Sequence, residues 1–185
     1  MKINLILLAA GNSRRFGSNK LLYPLEGKRM FEHVVDELEK IPTNTFSERI
    51  VVTQYEEVSD YTKALGYTVV MNPDSSRGIS SSLRLGLEQY EADAYIFVVA
   101  DQPYLKQETI LGLLQCFLQS DKNMGSVITG TTPGNPTIFS NYYRKELLQL
   151  TGDQGGRKVM KKYPDDVVYY YVEEEKELLD IDCLS

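Results

Sequence analysis

The chain has 185 residues, 42% of them hydrophobic and 25% charged, which predicts a single globular domain over 1–185 needing neither disulfides nor a structural metal. Its net charge of −6 excludes a general nucleic-acid-binding surface, because neutralising phosphates requires clustered Lys and Arg. With only Cys116, Cys183 and His33 available, no zinc motif can be assembled.

The first element, Ile3 to Ala9, is a continuous apolar run and reads as a strand covered on both faces. It is too short for a membrane span or a signal core, so the expectation is a cytoplasmic protein with no membrane partner. The run breaks into "AAGNSRRFGSNK", which sets Gly11, Gly17, Arg14, Arg15 and Lys20 at the mouth of the strand. Phe31, Val34, Val35, Leu38 and Ile41 recur at helical spacing, and Pro42 stops that helix. His33 falls on its polar side and reads as a surface residue. "RIVVTQY" (49–55) predicts a second strand, "YEEVSDYTKAL" a short helix and "YTVVMN" (67–72) a third strand. Ile79, Leu83, Leu87 and Tyr90 form another helical stripe, and "AYIFVVAD" (94–101) is a fourth strand ending on Asp101. Residues 107–119 are helical and contain Cys116, which reads as a core thiol. "SVITG" and "PTIFS" predict strands, 142–150 and 156–162 helices, and "DVVYYYVEE" (166–174) a late strand followed by an acidic tail. Alternating strand and helix give a three-layer α/β/α Rossmann-like domain around a mainly parallel sheet. In such sheets ligands sit beyond the carboxyl ends of the strands, which places the opening loop and Asp101 on one edge.

The opening loop is neither a Walker P-loop, whose Gly spacing and Gly-Lys pair it lacks, nor a GxGxxG dinucleotide turn. On its residues alone it reads either as an anion cradle, with glycines turning N–H groups inward and cations neutralising the ligand, or as a solvated strand-to-helix turn. "NPDSSRGISSSLRLGL" (72–87) places Gly78 and serines at a helix start. Those serines read either as caps or as hydroxyls offered to a ligand by Ser80 and Ser82, with Gly78 admitting a flat base. Asp101 is costly at a strand end unless paired, and Mg²⁺ beside phosphates is a natural partner, a turn-capping Asp being the alternative. Asp180 and Asp182 in "LLDIDCLS" offer further carboxylates, although acidic tails are usually solvated charge. "LTGDQGGRKV" (150–159) reads as a second anion site at a helix start or as an ordinary loop.

Taken in order, "LAAGNSRRFGSNKLLYPLEG", "NPDSSRGISSSLRLGL", "VADQPYL", "GNPTIF", "TGDQGGR" and "DIDC" resemble the MobA-like nucleotidyltransferases, and most closely their molybdenum cofactor cytidylyltransferase branch. The opening LAAG and the Gly-Ser cluster that leads the helix within 72–87 carry that branch choice, since the guanylyl branch usually opens LAGG. The resemblance implies a nucleotide-diphospho-sugar-transferase-type fold and transfer of CMP from CTP to molybdenum-molybdopterin cofactor, with release of pyrophosphate. Arg15, Lys20 and Asp101 are then the implied catalytic residues, and Asp101 and Asp182 the implied ligands of Mg²⁺ or Mn²⁺. Nucleotide binding falls to Leu8, Ala9, Ala10, Gly11, Ser13, Gly17, Asn72, Gly78, Ser80 and Ser82. Acceptor binding falls to Gln102, Pro103, Asn135, Asp153, Gly155 and Arg157. Two departures stand out: Gly134-Asn135-Pro136 replaces the family's usual GHP, and Cys183 replaces the Thr that usually follows DID.

The chemistry suits these residues. Attack on an α-phosphorus builds charge on the non-bridging oxygens and the leaving pyrophosphate, which cations and a metal stabilise. A phosphate monoester nucleophile, with a second pKa of about 6, is already ionised at neutral pH and needs no general base. Two alternatives stay open at this stage. One is a relative of the same fold that uses GTP or a sugar or polyol phosphate. The other is a non-catalytic accessory protein serving a molybdenum hydroxylase client such as xanthine dehydrogenase.

Overall fold

A computed structural model describes residues 1–11 and 19–181. The elements run β1 (Ile3–Ala9), β2 (Pro24–Leu25), β3 (Lys28–Arg29), α1 (Met30–Lys40), β4 (Glu48–Thr53), α2 (Glu56–Ala64), β5 (Thr68–Met71) and α3 (Ile79–Leu87). They continue with β6 (Ala94–Val99), α4 (Gln107–Gln119), β7 (Met124–Thr129), β8 (Thr132–Ser140), α5 (Arg144–Leu148), α6 (Arg157–Lys162) and β9 (Val167–Tyr171). Seven strands form one sheet in the order β5-β4-β1-β6-β8-β7-β9, and β2 and β3 make a small separate hairpin. β1 lies parallel between β4 and β6, β5 is parallel to β4 and β9 to β7, while β8 runs antiparallel between β6 and β7. The sheet is therefore mainly parallel, as the alternating pattern predicts.

The alternation of side chains along each strand divides the core into two layers. Leu5, Leu7 and Ala9 of β1 face Phe31, Val35 and Leu38 of α1 and Ile110, Leu113 and Phe117 of α4. Ile6 and Leu8 face the opposite way, towards Leu83 and Leu87 of α3, Leu147 of α5 and Val159 of α6. Because both faces are covered, β1, β4 and β6 read as unbroken apolar runs.

Several boundaries differ from those predicted. The "SVITG" and "PTIFS" segments are not separate short strands but belong to one hairpin, in which β8 runs nine residues through Pro133, Gly134 and a cis Asn135–Pro136 bond. Residues 142–150 hold only a 3-10 turn and the short α5. His33 is not a free surface residue, because its Nε2 lies 2.8 Å from the Leu25 carbonyl and fastens the β2–β3 hairpin to α1. Cys116 is half-buried, not a full core thiol, with Sγ 3.8 Å from the Tyr169 carbonyl.

At the amino ends of β7 and β9, away from the ligand edge, Asp166 accepts from the Asn123 N–H at 2.9 Å and the Tyr143 hydroxyl at 2.8 Å. Burial pushes this carboxyl up, but the hydrogen bonds from Asn123 and Tyr143 outweigh it and hold it below the usual carboxylate range. A lowered folded-state pKa gives stability that is present above the ordinary carboxylate value of about 4 and lost as pH falls through the folded value. Asp166→Asn should therefore be less stable than the parent at pH 7, and the two denaturation midpoints should converge as the pH is lowered through that window.

Candidate active site

The carboxyl ends of four parallel strands line one edge in register, with Ala9 of β1 beside Thr53 of β4, Leu8 beside Val99 of β6, and Thr53 beside Met71 of β5. The backbone that leaves β1 is fixed by its neighbours. The Thr53 hydroxyl donates to the Ala9 carbonyl at 2.9 Å, the Gln54 amide to the Ala10 carbonyl at 2.9 Å, and the Tyr55 hydroxyl to the Gly11 carbonyl. The Leu8 carbonyl accepts the Ala100 N–H at 3.1 Å. Every carbonyl from residue 8 to 11 thus has a donor from an adjacent strand end, which fixes the backbone where it leaves β1. Ser13, Arg15 and Gly17, with the neighbouring Arg14, lie outside the described residues.

The Asn19 side chain accepts the Leu21 N–H at 3.1 Å and opens a 3-10 turn over Lys20–Leu22. Leu21 is buried in the α1 layer and pulls Lys20 inward with it. Lys20 is only 8% exposed, and its Nζ lies 2.7 Å from Asp101 Oδ2. The first lysine after β1 and the first carboxylate after β6 therefore meet at the edge between adjacent strands. Asp101 retains 26% of its side-chain exposure, so this pair is reachable from solvent on the carboxylate side.

Beyond β5, Asn72 is 1% exposed and donates to the hydroxyls of Ser81 and Ser82, each at 2.9 Å, while its own N–H reaches the Thr53 carbonyl at 2.7 Å. Asn72 and Ser82 thus form a buried knot that ties the start of α3 to the end of β4. The Ser80 side chain is also buried, and its N–H donates to the Gly152 carbonyl at 3.2 Å. Gly78 has φ +92°, and a Cβ there would stand 2.4 Å from the backbone of Gly152 and 2.5 Å from Asp153 Oδ1. Its missing side chain is taken up by the 152–153 loop, a packing role that the sequence did not suggest. Gly78→Ala should lose about 1–3 kcal/mol from the backbone conformation alone, with the clash adding to it. Urea denaturation should register the full loss.

The residues expected to hold the acceptor divide into two sets. Asp153 and Gly155 lie in the loop against the start of α3, and Arg157 opens α6, its guanidinium donating to the Pro133 carbonyl, two residues before Asn135. Asn135 itself is half-buried at the start of β8, beside the carboxyl end of β6. Gln102 and Pro103 are buried instead of facing out. The Gln102 amide donates to the Leu178 carbonyl at 3.2 Å, and its Oε1 has no hydrogen-bond partner among the described residues.

Asp182 lies outside the described residues. Ile181, which precedes it, donates its N–H to the Asp101 carbonyl at 3.3 Å. Among the described residues no cluster of three His, Cys, Asp or Glu side chains could hold a metal ion. An ion such as Mg²⁺ is commonly bound through one or two carboxylates and completed by phosphate oxygens. Asp101, partly exposed at the edge, fits such a site. No helix among the described residues is long and apolar enough to cross a membrane.

Thr53, Gln54, Tyr55 and Glu177 were not singled out from the sequence. The first three carried a signal, since "TQY" is a polar stop on an apolar strand at the same edge as Asp101. Glu177 had none, as it lies in what reads as a solvated acidic tail.

Residues 5–167 match the family profile described as the MobA-like NTP transferase domain. The chain belongs to this family. The MobA-like assignment agrees with a relative from Pyrococcus horikoshii named a probable molybdenum cofactor guanylyltransferase, 31% identical over 157 residues that cover 83% of this chain and 76% of that one. The Bacillus subtilis purine catabolism protein PucB is 28% identical over 84% of this chain and 79% of its own length. In structure, Rv0371c from Mycobacterium tuberculosis H37Rv superposes with a TM-score of 0.82, at 24% identity, over 99% of this chain and 94% of that one. Rv0371c has also been solved in complex with manganese. These likenesses make the protein a nucleotidyltransferase of the MobA-like family, with the fold that goes with it.

Proposed function

We propose that this MobA-like nucleotidyltransferase moves CMP from CTP onto the phosphate of molybdenum-molybdopterin cofactor, forming the cytosine dinucleotide and releasing pyrophosphate. The observation that carries the reading is the Lys20–Asp101 pair, which sets an ammonium and a carboxylate 2.7 Å apart at the ligand edge between β1 and β6. A triphosphate needs the first, and a divalent cation needs the second. When bound at Asp101, with Asp182 as the further proposed ligand, Mg²⁺ or Mn²⁺ supplies positive charge to the non-bridging oxygens and the leaving pyrophosphate. The manganese complex of Rv0371c is compatible with that choice.

In the transfer, an oxygen of the acceptor's phosphate forms a bond to the α-phosphorus. The bond from the α-phosphorus to the bridging oxygen breaks, and pyrophosphate leaves with the electron pair. Lys20, held in place by Leu21 and the Asn19 cap, faces the charge that develops on the leaving group, with Arg15 proposed beside it. The base and ribose lie along the β1 backbone from Leu8 to Gly11 and over the Asn72, Gly78, Ser80 and Ser82 knot. The pterin lies towards Asn135 and the 152–157 segment, which Arg157 joins to β8. An ionised phosphate acceptor needs no base, and the one histidine of the chain is engaged with the Leu25 carbonyl.

For the base, Ala10 in the LAAG opening favours cytosine, whereas the guanylyltransferase name of the Pyrococcus relative favours GTP as the second reading. The likeness to PucB, named a purine catabolism protein, fits the alternative of an accessory protein for a molybdenum hydroxylase. Pyrophosphate release should be measured with CTP, GTP and ATP, each with molybdenum cofactor and with or without Mg²⁺. CTP-dependent release is expected. Strict GTP use would replace the cytidylyl assignment, and cofactor binding without pyrophosphate release under any condition would favour the accessory-protein reading.

A further inference from the structure

The segment that follows β9 does not hang as a solvated acidic tail. After Val172, whose N–H reaches the Ile128 carbonyl at 2.9 Å, it crosses the sheet edge and lies on residues 101–109, the stretch that leads from Asp101 into α4. Helix α4 has no cap of its own, because its N-cap residue, Lys106, makes no side-chain capping hydrogen bond. Its first N–H, that of Gln107, is taken by Glu37 of α1 at 3.0 Å, and a second carboxylate comes from the residues that follow β9. Glu177, 6% exposed, accepts from the Thr109 hydroxyl at 2.6 Å and from the Lys106 N–H at 3.2 Å. A carboxylate at a helix start satisfies the open N–H groups and complements the helix dipole. The Lys106 ammonium meets Glu174 at 2.8 Å and Glu177 at 3.7 Å, and Lys176 stands 3.8 Å over the Tyr104 ring.

From that anchor the chain reaches the site in four residues. The Leu178 carbonyl takes the Gln102 amide at 3.2 Å, Leu178 packs over Gly134, where a Cβ would lie 3.2 Å from Leu178 Cδ1, and Ile181 donates to the Asp101 carbonyl at 3.3 Å. The strap therefore bonds the backbone of the edge carboxylate itself, the side chain of the next residue, and the first turn of the helix that follows. Burying a carboxylate costs free energy, and a solvent-exposed cap on α4 would satisfy the helix without it. The strap form also fixes where Asp101 sits relative to the last described residues of the chain.

We infer that Glu177 is a positioning residue of the nucleotidyl-transfer site: by bonding the start of α4 it clamps residues 178–181 onto Asp101 and sets the geometry of the divalent-cation site. The inference rests on the reading of Asp101 as a metal ligand. Groups that orient a ligand without touching the ion typically cost about 10- to 100-fold in metal affinity when removed.

The test uses the full-length protein with Mn²⁺ as the probe. Binding is followed by electron paramagnetic resonance without nucleotide, alongside the concentration of Mg²⁺ and of nucleotide that half-saturates pyrophosphate release. Glu177→Ala should weaken Mn²⁺ binding and raise the Mg²⁺ requirement by about 10- to 100-fold, with the nucleotide KM within about twofold of the parent. Glu177→Gln, which keeps an acceptor for Thr109, should recover part of the loss. Should Glu177→Ala not fold, Thr109→Val removes the 2.6 Å bond from the helix side while leaving the carboxylate in place, and it should show the same split in milder form. Mn²⁺ binding equal to the parent in the folded variants, or an equal rise in metal and nucleotide requirements, would overturn the inference. If the parent itself releases no pyrophosphate, the nucleotidyl-transfer proposal fails. The Mn²⁺ measurement still decides whether the strap governs Asp101.

Discussion

Lys20→Met is expected to lower turnover by about 100- to 1,000-fold, the usual cost of deleting one preorganised group that meets developing charge. The same variant is expected to bind Mn²⁺ more tightly than the parent when no nucleotide is present. Both effects follow from one contact. The Lys20 ammonium lies 2.7 Å from Asp101 Oδ2, so it is a counter-charge of the carboxylate proposed to take the metal. Deleting the ammonium leaves the carboxylate to a cation from solution, while the triphosphate loses its protein-borne partner. Stability should fall by less than the about 3–5 kcal/mol seen when one member of a fully buried pair is removed, because the Asp101 side chain is 26% exposed and can be hydrated. Wild-type turnover in Lys20→Met would refute the assignment of this loop. Unchanged Mn²⁺ affinity would show that the ammonium does not compete for Asp101.

The strands that frame this contact were legible because they are buried on both faces. Residues 3–9 and 94–99 carry no polar interruption except Asn4, whose amide is satisfied by the Tyr90 carbonyl at 3.3 Å. Helices α1, α3 and α4 were legible by their apolar stripes. The insertion of β8 between β6 and β7 was not, since Pro133, Gly134 and Pro136 argue locally against a nine-residue strand. The segment becomes one through pairing of Thr132 to Gly134 and Thr137 to Phe139 with β7, and takes its place in the sheet through pairing of Thr137 to Ser140 with β6, far away in sequence. The same limit applies to the site. Lys20 and Asp101 could each be placed on the ligand edge, yet their direct pairing depends on Leu21 being drawn into the α1 layer. Gln54 and Tyr55 act on carbonyls 10 and 11 through side chains, and Glu177 caps a helix that begins seventy residues earlier, as the Gln107 start of α4 shows. Side-chain bonds of that reach leave no periodicity to read.

Asp101→Asn should be the stronger lesion for catalysis and a different one for binding. It keeps an acceptor oxygen beside Lys20 but removes the negative charge that a divalent cation requires. Mn²⁺ binding should be lost, and turnover should fall at least as far as in Lys20→Met at any Mg²⁺ concentration. The cost in stability should exceed that of Lys20→Met. The group left without its charged counterpart is then the ammonium, which is 10% exposed against 26% for the carboxylate and so is less well hydrated. The double variant separates the two roles. If the pair is coupled in the folded chain, Lys20→Met/Asp101→Asn should be more stable than the sum of the two single losses predicts, since neither charge is stranded. Its turnover, in contrast, should be no better than that of Asp101→Asn alone, because triphosphate and metal each need a partner the double variant lacks. Additive losses of stability would mean that the 2.7 Å contact carries no coupling in solution, and the exchange of Asp101 between ammonium and metal would then have no basis.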